Sequence, residues 1–199
     1  MDNFQKLCGQ EHVKRAFEIA VAGNFSITVL DKTNSFTIIQ NAFEAIGGQS
    51  EKLTLIPLCF CGEPNSAFCE CDGTELLKFK NSLLYLEAKR NTILIETAWI
   101  NGPKLLTELQ HRETLESSNT IKNRIDSMLS NEIIDIERKR QQYSELLTMA
   151  VNRFSFGQQM VENTLEIAKV IARVDQETEL APNHISEAMM YKRLNSFEE

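Results

Sequence analysis

Two clusters in this chain carry residue types suited to chemistry. The first is Asp31-Lys32-Thr33-Asn34-Ser35-Phe36-Thr37, which comes after an apolar run at 27–30 and leads into a helix-like segment at 38–46. A strand, loop and helix in that order is where a nucleotide-binding protein holds phosphate. The loop then needs glycines that let backbone N–H groups wrap the phosphates, a lysine for the β/γ-phosphates and a Ser/Thr hydroxyl for Mg²⁺. This loop has no glycine, and its only lysine, Lys32, stands at the wrong end. Asp31 adds negative charge where a triphosphate needs attraction. The loop chemistry therefore argues against ATP and Mg²⁺.

The second cluster is Cys59-x-Cys61 followed by Cys69-x-Cys71, four of the five cysteines within thirteen residues. Four thiolates have the ligand count of a structural zinc site, closed to water and so without catalytic chemistry. Four reduced thiols in a loop are the alternative reading, because C-x-C is less diagnostic than a pair of C-x-x-C knuckles. The histidines at 12, 111 and 184 are isolated and suggest no triad.

The elements that must position these residues can be read from periodicity. Val13, Ala16, Phe17 and Ala20 mark a helix over 10–22, ended by Gly23-Asn24. Strands are expected at 27–30, 53–58 and 92–96, with Pro57 near the end of the second. Helices are expected at 38–46, closed by Gly47-Gly48, and from about 72 to 89. Gly102-Pro103 reads as a break and 111–119 as a polar linker, with Ser117 or Ser118 capping the next helix. Beyond 120 the pattern is helical: 120–129, 133–150, 158–174, and a last helix opened by Pro182 and running to about 194. His184 is expected on that helix's surface or as a cap.

The totals bound the class. The chain has 199 residues, 42% hydrophobic and 25% charged, as in a soluble globular protein of one ordinary domain or two small ones. No apolar run approaches a membrane span, and the start lacks a signal-peptide core, so a cytoplasmic protein is expected. A net charge of −7 argues against wrapping nucleic acid.

Several stretches then line up with one family. GQEHVKRAFEIAVAG (9–23) resembles the G-Q-x-x-A-K-R-A-L-E-I-A-A-A-G entry segment of the magnesium-chelatase ATPase subunit and its ComM-type bacterial relatives. LCFCGEPNSAFCEC (58–71) is similar to the P-C-P-C-G…C-x-C segment of the ComM branch. ESSNTIKNRI (116–125) and SFGQQMVENTLEIAKVIARVD…LAPNHISEAMMYKRL (155–194) resemble the family's later helical segments.

The resemblance implies a shortened AAA+ architecture. A truncated α/β domain (1–100) with a Cys-rich loop (59–71) would lead through a linker (101–119) to an all-α lid-type domain (120–199), mostly helical throughout. AAA+ sheets run 5-1-4-3-2. The three strands here would be 1, 4 and 5, and would form a contiguous parallel sheet of order 5-1-4 with strands 2 and 3 deleted.

Set against the family's working parts, the chain departs repeatedly. The phosphate loop G-P-P-G-S-G-K-T falls on 31–38, so Thr37 replaces the lysine. Shifted by one residue, Thr37 becomes the Mg²⁺ threonine and Phe36 replaces the lysine. The acidic metal strand has no counterpart, the sensor asparagine falls on Pro57, and the lid arginine falls on Gln159. Arg90 resembles the arginine of the family's L-L-D-R-I-D and is the candidate to act across a subunit interface. The resemblance thus implies a catalytically inactive AAA+-like protein with a structural or regulatory role, contacting an active ATPase relative, another protein or itself. The alternatives are a divergent ATP-binding protein that uses Lys32, and a zinc-stabilised DNA-processing adaptor.

Overall fold

A computed structural model describes residues 2–33, 35–57, 72, 74, 78, 92–98, 100–128 and 140–192. Among them the chain is mostly helical around one three-stranded sheet. The order is α1 (Glu11–Ala22), β1 (Ser26–Asp31), α2 (Phe36–Ala45), β2 (Leu53–Pro57), β3 (Thr92–Glu96), α3 (Gly102–His111), a 3-10 turn (Arg112–Thr114), α4 (Ser118–Met128), α5 (Arg140–Phe154), α6 (Gln158–Val174) and α7 (Pro182–Met190).

β1 is the centre of the sheet. The order is β2-β1-β3 and both pairings are parallel, with Val29 opposite Leu55 on one side and Ile95 on the other. A strand covered on both edges and both faces is largely apolar. Ile27, Val29 and Leu30 are accordingly buried. α1 lies against β1 and β3 on one side and against α4 and α6 on the other. It is therefore buried nearly all round, from Val13 to Ala20. Phe17 of α1 meets Phe43 of α2 with ring centroids 5.0 Å apart. One continuous core joins the sheet and its helices to α4, α6 and α7.

The helix ends match their residues. Asn24, not Gly23, takes the left-handed conformation that turns the chain after α1 (φ 54°), and Gly47 does so after α2 (φ 97°). Ser117 caps α4 by accepting the Thr120 N–H at 3.2 Å. His184 caps α7 from inside the protein: it is buried, and its Nδ1 accepts the Ala181 N–H at 3.1 Å. α7 ends at Met190, short of the expected 194.

One expectation is corrected. Gly102-Pro103 does not break the chain but opens α3, inside the segment read as linker. Proline fits the first turn of a helix, where its missing N–H has no intrahelical partner, and the Asn101 side chain accepts the Lys104 N–H at 2.9 Å. The Cys59, Cys61, Cys69 and Cys71 cluster, the helix expected over 72–89 (apart from 72, 74 and 78) and Arg90 lie outside the described residues. No helix among the described residues is long and apolar enough to cross a membrane.

The outer edge of β3 is closed by groups from two other elements. Leu94 N–H donates to the Tyr191 carbonyl at 2.8 Å. The Thr92 carbonyl accepts from Lys192 Nζ at 2.8 Å, and the Glu96 carbonyl lies 2.7 Å from His12 Nε2. Such capping keeps an edge strand from recruiting another chain.

Lys192 is fully buried, and burial pulls its pKa from 10.5 down to about 8. Charging it therefore costs the folded state about 3 kcal/mol, the cost of that difference. Below pH 8 both folded and unfolded chains hold the proton, and the whole cost is present. Between pH 8 and 10.5 the unfolded chain holds a proton that the folded one has shed, so stability rises with pH. Lys192→Met is expected to raise stability by about 2 kcal/mol at pH 7, the lost hydrogen bond offsetting part of the gain. It should also flatten the rise between pH 8 and 9.5 in urea titrations. An unchanged slope would show that the amine stays solvated.

Candidate functional site

In an open parallel sheet, ligands collect outside the carboxyl ends of the strands, where the winding direction reverses. Here the chain runs from β1 to β2 on one side and then across to β3 on the other. The reversal therefore lies between β1 and β3, whose carboxyl ends carry Asp31-Lys32 and Glu96-Thr97.

Asp31 is buried and turned inward. Its Oδ1 accepts the Thr33 N–H and the Thr33 hydroxyl, both at 2.8 Å, and the Thr97 hydroxyl at 3.1 Å. Its Oδ2 accepts the Ser35 N–H at 2.7 Å, at the amino end of α2. Thr97 Oγ1 also accepts the Lys32 N–H at 2.7 Å. The carboxylate thus draws together the backbone donors that a phosphate loop would turn outward, and supplies the negative charge favoured at a helix start. Lys32 Nζ is held 2.6 Å from Glu96 Oε2, with both side chains mostly buried.

Beside this pair opens a cleft of about 920 Å³, within the range of ligand sites. Its walls come from His12 and Arg15 on α1, Lys32, the 95–98 segment, Met149 and Arg153 on α5, and Ser186, Glu187 and 189–191 on and after α7. Arg15 reaches Asp175 at 2.7 Å and Glu187 at 3.0 Å. Burial works against its charge, but these carboxylates more than compensate and its pKa rises. The Tyr191 hydroxyl donates to Glu187 at 2.9 Å. Burial, with Glu187 beside it, pushes that hydroxyl's pKa up, so it is a phenol at any physiological pH.

Of the residues singled out from the sequence, Asp31, Lys32, Thr33 and Ser35 come together at the carboxyl end of β1, and only Lys32 reaches the cleft. Phe36 and Thr37 are exposed on the first turn of α2. Gln159 lies exposed on α6, donates to Asn163 at 3.1 Å and does not line the cleft. Asn34, Arg90 and the four clustered cysteines lie outside the described residues.

Sequence reasoning gave Gly9-Gln10 no role beyond opening the family-like stretch 9–23. Gly9 has φ +66°, and a Cβ there would meet Ile100 at 2.1 Å. Gln10 is buried and grips the backbone of Ala98 twice, Nε2 to its carbonyl and Oε1 from its N–H, both at 2.8 Å. This pair fastens the start of α1 to the chain leaving β3. A Gly-Gln pair just before an apolar helix was the available signal. The ATP·Mg²⁺ of the family that the chain resembles does not fit these residues: the Thr33 and Ser35 N–H groups end on Asp31 and the nearby lysine on Glu96. No protein-family model matches this chain, and no curated protein matches it.

Proposed function

We propose that this chain is a shortened, catalytically inactive AAA+-like protein of the magnesium-chelatase/ComM type, with a structural or regulatory role in protein–protein interaction. The sheet order β2-β1-β3 suits strands 4, 1 and 5 of that architecture, with β1 preceding the former phosphate loop. The observation that carries the reading is Asp31. Its carboxylate takes the N–H groups of Thr33 and Ser35, so the loop binds its own anion in place of a nucleotide's. The pairing of Lys32 with Glu96 argues against the alternative in which Lys32 serves a triphosphate.

The purified chain is expected to turn over no more ATP than its Thr37→Ala variant. Its melting temperature should not move with ATP and Mg²⁺. A ligand at about a hundred times its Kd would add about 2.7 kcal/mol of stability. A shift of that size, abolished by Lys32→Ala, would overturn the proposal in favour of a divergent nucleotide-binding protein.

A further inference from the structure

The outer edge of β3 is covered in large part by two successive residues just past the end of α7. The Tyr191 carbonyl accepts the Leu94 N–H and the Lys192 amine donates to the Thr92 carbonyl, both at 2.8 Å. Their own N–H groups continue the turn that ends the helix, donating to Ala188 and Met189 at 3.2 and 3.1 Å. This cover is thus the tail of a helix and not a further strand. A short segment held by so few bonds can leave an edge while the sheet stays folded, because local openings cost less than global unfolding.

The amine at the end of this segment is fully buried. A buried ammonium calls for an opposite charge, yet the acceptor of Lys192 is a neutral carbonyl. The charged and titratable groups around this corner are engaged elsewhere. Glu96 of β3 holds Lys32, and Glu187 of α7 holds Arg15 and the Tyr191 hydroxyl. His12 of α1 meets the Glu96 carbonyl, and Arg153 of α5 lines the cleft. Burial alone therefore acts on the proton of Lys192. Opening the segment returns the amine to water, so a bound proton favours the open form and its loss favours the closed one.

We propose that Tyr191-Lys192 is a proton-controlled latch on the outer edge of β3, opening locally while the Lys192 amine is charged and tightening as it becomes neutral. Opening bares the Thr92 carbonyl and the Leu94 N–H, the kind of groups with which an extended chain pairs at a sheet edge. The latch does not use the nucleotide loop, so ATP turnover would sink the proposed function and leave the latch standing.

Amide exchange of the full chain, followed residue by residue by NMR at pH 7 and pH 9, tests it. Protection is the rate of an unstructured amide divided by the observed rate. The Leu94 amide is expected to be less protected than that of Val29, at the sheet centre, by about tenfold or more. Its protection should also change little in low urea, the mark of a local opening. From pH 7 to pH 9 it should rise about tenfold, as follows for an amine that titrates near 8 when covered and at 10.5 in water. In Lys192→Met, which keeps an unbranched buried stem and has no proton to lose, it should stay flat within about twofold. Circular dichroism checks that this variant folds, and the wild-type comparisons stand without it. Equal protection of Leu94 and Val29 overturns the proposal, because the segment then leaves only when the whole chain unfolds. Flat Leu94 protection in the wild type overturns it too. So does a rise that persists in Lys192→Met, since the amine is then not the switch.

Discussion

Asp31→Ala is expected to lower the unfolding free energy by about 4 kcal/mol. The carboxylate takes four donors among the described residues. The N–H groups of Thr33 and Ser35 would be left without their acceptor, a loss comparable to removing a helix cap twice. The Thr97 hydroxyl, buried with Asp31, would lose its acceptor too, and an unsatisfied buried donor costs about 1–3 kcal/mol. Asp31→Asn separates shape from charge. Its amide oxygen can serve the Thr33 and Thr97 side, but its NH₂ then faces the Ser35 N–H, so about half the loss is expected. Urea unfolding at constant slope reads both values. A loss below about 1 kcal/mol for alanine would mean that water replaces the carboxylate and that the loop is not self-liganded. Neither variant should gain ATP binding, because removing Asp31 restores neither glycine nor lysine to the loop.

That loop shows how far the residues could be read in advance. The absence of glycine and of a placed lysine was plain from residue types, and so was the strand before it, because 27–30 is a short run rich in β-branched residues. What the loop does instead was not legible. An aspartate after a strand is ordinarily solvated; this one turns inward because Thr97, 66 positions away, comes to lie beside it. Gln10 was overlooked for the same reason, since its partner is a backbone 88 positions later. α3 is a different failure. Asn101 and Pro103 are a helix-start signal, but Gly-Pro is also a turn signal, and the leucines after it found no core to face. Gln159 was placed at the site by alignment alone, and alignment carries no information about which face of α6 looks toward the sheet.

Arg124→Leu is expected to cost about 3 kcal/mol, and its pattern with a second substitution says why. Glu18 is buried on α1, where a carboxylate needs a cation. Arg124 of α4 supplies one through its Nε, while its other nitrogens reach Glu116 at 3.0 and 3.2 Å. Hydrogen bonds with Glu116 and Glu18 raise the guanidinium's pKa. Arg15 lies 3.5 Å from Glu18 but is already engaged by Asp175 and Glu187. Without Arg124, Glu18 would be left with that one shared and longer contact. Breaking a buried pair from one side costs about 3–5 kcal/mol, and the remaining contact places this case at the low end. Replacing the whole pair by apolar residues is often neutral, so Arg124→Leu/Glu18→Leu should recover most of the loss. The resulting coupling would exceed about 1 kcal/mol, well outside the error of additivity for independent sites. Simple additivity of the two single losses would instead mean that α4 is held to α1 by Ile121 and Ile125 alone. In that case the ion pair would be incidental to how the helical half grips α1.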